Sequence, residues 1–343
     1  MAEGPRDPVE RGSDPSADLY EVSDWEVRSL LDRLVYFLYY AGQKVLRALV
    51  VLLAIGILAV QVAFGGLGAL GEQPLFAALA ALSAIPALVL AGYIYYADVT
   101  TDEPLTLLVG TFMLGVLFAG FAAILNTVLR GPVQFVGSGF GLLPFLGQVA
   151  FFFIIVGPVE ESVKLLAVRL YAFRDDRFDA VIDGAVYGAM AGLGFATIEN
   201  ALYIVQNTEM VAGPVQAINE GSGITAIRAL AGPGHVIYSA FGGYYLGLAK
   251  FNRDNAGPIV LKGLLIAAVI HAGYNTLSGP VTVLLSAVYG VDQFVAFIGF
   301  VIVFDGLFIL LLLRKLDAYR QAYKRAQTTE DPQGEPGVPD VEP

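Results

Sequence analysis

Apolar residues run along this chain in long blocks broken by short polar stretches. A membrane-crossing helix needs about 20 mostly apolar residues, and eight blocks reach that length: 45–66, 75–97, 105–128, 147–171, 182–205, 229–250, 257–278 and 292–313. The pattern predicts an all-α fold, a polytopic membrane helical bundle of about eight transmembrane helices. The Gly/Pro-rich stretch 131–146 or the apolar 281–290 would be a re-entrant or interfacial piece. Ahead of the first block, DWEVRSLLDRLVYFLYY (24–40) alternates apolar and charged positions at helical period, as an interfacial helix does. Residues 1–18 and 326–343 are rich in Pro, Gly and acids and are expected to be disordered. The chain thus divides into an acidic N-terminus with its interfacial helix (1–44), a transmembrane domain (45–313) and a polar disordered tail (314–343).

Composition supports the membrane reading: of 343 residues, 56% are hydrophobic and only 15% charged, against about a quarter charged in soluble domains. The net charge of −11 is concentrated at the ends, with nine acids against four arginines in 1–40 and five acids with no base in 326–343. No basic face offers itself to nucleic acid. The absence of cysteine excludes disulfides, thiol nucleophiles and Cys-ligated metals. No cleavable signal peptide is expected, because the acidic start precedes the first block by about forty residues. Lys and Arg gather in alternate loops, which predicts a multi-pass protein of the cell membrane with both termini cytoplasmic. One loop breaks that rule: 98–104 should lie inside yet has no base.

Charges interrupt one of the most apolar blocks. VGPVEESVKLL (156–166) holds Glu160, Glu161 and Lys164, although a charge at bilayer depth costs about 3 kcal/mol or more. Glu160 and Lys164 are one turn apart and can pair, whereas Glu160 and Glu161 point about 100° apart and do not readily face one point. The stretch GFATIEN places Glu199 and Asn200 near the outer end of its block, and neither Glu199 nor Glu161 has a basic partner in view. The only two histidines both lie in blocks, each with a polar residue four positions on: His235 with Ser239, and His271 with Asn275. That spacing stacks both side chains on one helix face, so Ser or Asn can orient the ring or bind a substrate oxygen.

At the helical rise of about 1.5 Å per residue, these groups fall in the middle-to-outer layer of the bilayer, where four successive helices can share one polar cavity. In a dry pocket, a Glu can take a proton from water attacking a carbonyl while His and Asn hold the oxyanion. Alternatively, two imidazoles and one carboxylate make a catalytic zinc site, with another Glu as base. The zinc-protease helix pattern HExxH is absent. The competing reading is a proton- or ion-coupled transporter with Glu160, Glu199 and the histidines as relay, extended by Asn126 and Asp305; the lack of an inverted repeat counts against it.

PVEESVK, FATIEN, HVIYS and HAGYN, in that order on four successive blocks, resemble the PrsW family of intramembrane proteases, relatives of the CAAX prenyl proteases and bacterial membrane-bound immunity proteases (the CPBP group). The resemblance covers about 150–280, with IDGAVYGAMAGLGFA (182–196) also family-like. It implies an intramembrane endopeptidase acting on a membrane-anchored protein, as in regulated proteolysis of an anti-sigma-type factor. It implies catalytic roles for Glu160, Glu161, Glu199, His235, His271 and Asn275, supported by Lys164, Asn200 and Ser239. Glu160 would be the general base, with His271, Asn275 and Glu199 holding oxyanion or substrate. The CAAX relatives have His where this chain has Glu199; the alternative is a zinc ion on His235, His271 and Glu199.

Overall fold

The computed structural model describes residues 7–40, 74–100, 103–139, 144–208 and 214–330. Among them there is no strand, only helices and short connections. The first predicted block, 45–66, lies outside the described residues. Five helical stretches among the described residues are long and apolar enough to cross a membrane: Ala78–Ala97, Leu105–Val133, Val181–Asn207, Arg253–Tyr289 and Gln293–Gln327. The predicted blocks at 147–171 and 229–250 are also helical but do not qualify, because wide turns, glycines and charges interrupt their apolar runs.

The chain opens with α1 (Pro8–Gly12), and residues 30–40 form α2. Two transmembrane helices follow, α3 (Pro74–Ala97) and α4 (Leu105–Gly139). The 147–171 block is not one helix. It consists of α5 (Pro144–Phe151), a π-turn (Phe152–Val156) and α6 (Gly157–Leu170). Pro158, in the first turn of α6, has no N–H to donate, and a wide turn before it accommodates the missing bond. Next come α7 (Val181–Thr208), α8 (Pro214–Phe251), α9 (Ala256–Tyr289) and α10 (Gln293–Glu330). Gly290, with φ of 66°, ends α9 in the left-handed conformation that favours glycine.

The bundle is centred on α7, whose apolar window is 89% buried, whereas that of the peripheral α10 is 28% buried. The closest pairing is between α7 and α8, and small residues make it possible. A Cβ on Gly188 or Gly192 would overlap the carbonyls of Ser239 or His235 on α8, so the two backbones nearly touch, as small residues permit between membrane helices. Gly157 plays the same part for α6, since a Cβ there would lie 2.6 Å from the Ala268 carbonyl on α9. These approaches bring the acids of α6 and α7 against the histidines of α8 and α9.

The N-terminus differs from expectation. Residues 8–12 are helical rather than disordered, because the buried Asp7 carboxylate accepts from Val9 N (2.8 Å), Val181 N (3.1 Å) and the Tyr319 hydroxyl (2.8 Å). Asp32 is likewise buried and accepts from Lys262 Nζ (2.5 Å), while Glu21 meets both Lys262 and Lys315. Residues 7–32 are thus a strap across α7, α9 and α10. The predicted interfacial helix is narrower than 24–40, and it turns Leu30, Leu34 and Phe37 outward at helical spacing, 83%, 50% and 67% exposed. The tail is helical to Glu330, further than composition suggested.

Candidate active site

Burial of α6 carries its charges into the protein rather than into lipid. Glu160, Glu161 and Lys164 are all at least 95% buried, with His235 and His271 beside them. The pairing differs from the one read off the helix: Lys164 Nζ sits 2.6 Å from Glu161 Oε1, three residues back, not on Glu160. Both spacings make neighbours on a helix, and the partners on other helices decide between them. Lys164 Nζ also lies 2.9 Å from His235 Nδ1 and 4.3 Å over the Phe195 ring. Glu161 Oε1 lies 2.8 Å from His271 Nδ1, and the Ser239 hydroxyl donates to Glu161 Oε2 at 3.4 Å. Ser239 therefore serves Glu161 and not the imidazole one turn before it.

Glu160 occupies a different environment. Asn126 of α4 donates to its Oε1 at 2.9 Å, while the buried Oε2 accepts no hydrogen bond from the described residues and lies 3.7 Å from His271 Nε2. Adjacent acids were expected to diverge, yet both reach His271, one at each ring nitrogen. The imidazole spans the angle between them.

Glu199 has the basic partner the sequence did not reveal. Arg228 of α8 donates to Glu199 Oε2 at 2.6 Å and to Asn200 Oδ1 at 2.8 Å, and it packs 4.3 Å over Tyr203. Asn200 in turn donates to the Ser83 hydroxyl (3.1 Å) and the Arg228 carbonyl (3.3 Å), tying α3 and α8 to α7. Arg228 lies just ahead of the apolar block 229–250. It is helical, seven residues before His235, and a spacing of two turns puts both on one face; that signal could have found it.

The two rings are held at opposite nitrogens. An ammonium group only donates, so the Lys164 contact makes His235 Nδ1 an acceptor and leaves the ring proton on Nε2, 2.7 Å from Glu199 Oε2. A carboxylate only accepts, so His271 donates from Nδ1 to Glu161 and turns its Nε2 toward Glu160. Phe195 stacks on His235 at 5.5 Å and Tyr238 on His271 at 5.2 Å, and the imidazoles meet edge to face at 5.1 Å. The Tyr238 hydroxyl reaches Asp305 at 3.5 Å, a hydrogen-bonding role for that acid.

Part of this arrangement faces a cavity of about 900 Å³ whose walls include Asn126, Glu160, Glu199, His235, His271 and Asn275, whereas Glu161, Lys164, Asn200 and Ser239 are not among its lining residues. Asn275 is half-buried on its wall, one turn past His271. Donor atoms of Glu160, His235 and His271 lie within 4.8 Å of one another. This trio differs from His235, His271 and Glu199, because Glu199 is engaged by Arg228. The arrangement has the parts of a water-activating centre: a carboxylate oxygen that accepts, a ring N–H and a guanidinium that donate, and space for a chain segment.

A family model described as the PrsW family intramembrane metalloprotease matches residues 103–307, more than half of the chain. Similar curated proteins include a Protease PrsW from Bacillus subtilis (strain 168), 30% identical over 215 residues that cover 62% of this chain and 87% of that protein. Another from Shouchella clausii (strain KSM-K16) is 29% identical over 197 residues, covering 57% and 80%. A third, from Oceanobacillus iheyensis, is 31% identical over 195 residues, covering 55% and 78%. No solved structure matches the chain significantly.

Proposed function

Because the chain belongs to the PrsW family of intramembrane metalloproteases, we propose that it hydrolyses peptide bonds of membrane-anchored proteins with Glu160 as the proton acceptor. The observation that carries this role is Glu160 Oε2, buried at the cavity wall without a hydrogen-bond donor among the described residues and 3.7 Å from His271 Nε2. A water molecule donating to Glu160 Oε2 beside His271 would present its lone pairs to a bound peptide carbonyl. Attack forms the carbon–oxygen bond and passes the water proton to Glu160. The oxyanion takes hydrogen bonds from His235 Nε2–H and Arg228, with Asn275 on the peptide backbone. Glu160 then returns the proton to the departing amine as the carbon–nitrogen bond breaks. Glu161 and Lys164 set the two ring tautomers, and Asn200 and Ser239 hold Arg228 and Glu161.

A metal ion suits the same residues. Glu160 Oε2 is a buried oxygen without a donor, and His271 has the carboxylate at Nδ1 that metal-ligating histidines favour. Glu160, His235 and His271 would hold zinc, His235 after its Nε2 proton passes to Glu199. The ion would supply Lewis acidity and a more acidic water. A wider kinship with the CAAX prenyl proteases fits the metal-free form. Elemental analysis of active protein decides between them: zinc in stoichiometric amount, lost in His271→Ala, supports the metal form, and active protein free of metal rejects it.

The rest of the proposal concerns setting. It comprises about eight transmembrane helices in the cell membrane, termini in the cytoplasm, a polar N-terminal region (1–44), a protease domain (45–313) and a tail (314–343), with an anti-sigma-type signalling protein as substrate. The transporter reading has no support among the relatives. Glu160→Gln and His271→Ala should each abolish cleavage of a membrane-anchored reporter while the protein still accumulates in membranes. Cleavage at the wild-type rate by Glu160→Gln removes the proposed base.

A further inference from the structure

A second cluster of acids lies at the opposite end of α7 from the cavity. Asp98 follows α3, Glu103 precedes α4, and Asp183 stands in the first turn of α7. Asp183 is 16 positions before Glu199, about 24 Å along the helix, so this is a separate place. One carboxylate oxygen from each of the three lies within 4.8 Å of the others. Asp183 Oδ2 accepts from the amides of Asp179 and Ala180, both at 2.8 Å, capping α7. The Tyr187 hydroxyl donates to Glu103 Oε2. The Thr100 hydroxyl lies 2.7 Å from Asp98 Oδ1 and 3.3 Å from Asp183 Oδ1.

Two oxygens remain: Asp98 Oδ2 and Glu103 Oε1 are buried and accept no hydrogen bond from the described residues. Glu103 is 4% exposed and Asp183 fully buried. No Lys or Arg ion-pairs with any of the three among the described residues. The nearby Lys250 is directed at the carbonyls of Phe173 and Asp175 instead. Burying carboxylates together with unfilled acceptor oxygens is costly, and a compact positive charge would remove that cost.

We propose that Asp98, Glu103 and Asp183, joined by the Thr100 hydroxyl, bind a divalent cation of the hard, oxygen-preferring kind, Mg²⁺ or Ca²⁺. The donor set is oxygen alone, without the imidazole or thiolate that favours zinc or copper. Its ligands come from three helix ends, so the ion would fasten α3, α4 and α7 together. It would also supply the positive charge that the 98–104 loop lacks.

The test uses Mn²⁺ as a paramagnetic probe on full-length, chelator-stripped protein in detergent, with Glu160→Gln/His271→Ala as background to silence the cavity. Electron paramagnetic resonance should show one Mn²⁺ held per chain and displaced by Mg²⁺ or Ca²⁺. Adding Asp98→Asn/Glu103→Gln should weaken it by at least the roughly 10- to 100-fold that loss of even a supporting contact costs a metal site. No Mn²⁺ retained by the background variant, or equal affinity with and without the added substitutions, overturns the proposal. Should the quadruple variant fail to fold, thermal melting of the wild type gives the answer. Mg²⁺ or Ca²⁺ should raise Tm where Na⁺ at equal ionic strength does not, and the absence of a divalent-specific shift means that the acids share protons instead.

Discussion

Glu160 and Glu161 are neighbours in the chain with opposite surroundings. Glu161 is enclosed by Lys164, His271 and Ser239, whereas Glu160 keeps one oxygen bare. Glu161→Gln should therefore act mainly through folding. Removing one partner of a buried pair costs about 3–5 kcal/mol, and it should be read as loss of folded protein in detergent, with Lys164→Met partly restoring it. Glu160→Gln should leave folding intact and lower the cleavage rate by roughly 10²–10⁴-fold, the usual contribution of a general base, in a reporter assay. Much of this site was legible, because chemistry-bearing residues stand out in a chain with only two histidines and few buried charges. What stayed hidden was partnership. Arg228 on Glu199 and Lys164 on Glu161 depend on which helices adjoin, and no periodicity within one helix reports that.

Helices were easier to foresee than their interruptions. The apolar blocks anticipated α3, α4, α7, α9 and α10, because length and apolarity are properties of one segment. The division of 147–171 by the π-turn was not anticipated; it follows from Pro158 together with the close approach of Gly157 to Ala268. Gly157→Ala should push α6 away from α9, at the cost of about 1–3 kcal/mol typical of overpacking. The separation of Glu160 from His271 would grow, so cleavage should fall more steeply than Tm in parallel assays. The wide turn makes a further prediction. Deleting one residue within Phe152–Val156 restores ordinary winding, and because the wide turn absorbs one extra residue, α5 should keep nearly the same orientation to the paired acids. A crosslink between cysteines placed at Gln148 and on α9 should therefore survive that deletion and be lost when the residue is deleted from α5 itself.

At the level of the whole protein, the strap is the feature that composition concealed. Acid-rich termini read as solvated chain, yet Asp7 is buried against residues 174 and 312 positions away. Burial pushes the Asp7 carboxyl from its ordinary 3.8 to about 6, even though the Tyr319 hydroxyl and the Val9 and Val181 amides pull it the other way. The folded state thus holds this proton more tightly than the unfolded one, so its contribution to docking is full below pH 3.8 and is lost as pH rises through about 6. Limited proteolysis of the N-terminus should accordingly speed up between pH 4 and 7, and Asp7→Asn should flatten that dependence. The same contacts impose an order on biosynthesis. While the ribosome is still threading the later helices into the bilayer, residues 7–12 have been made but Tyr319 has not, so a segment made early is among the last to find its seat. Nascent chains arrested before Tyr319 emerges should leave that segment open to protease, and release of the finished polypeptide should close it.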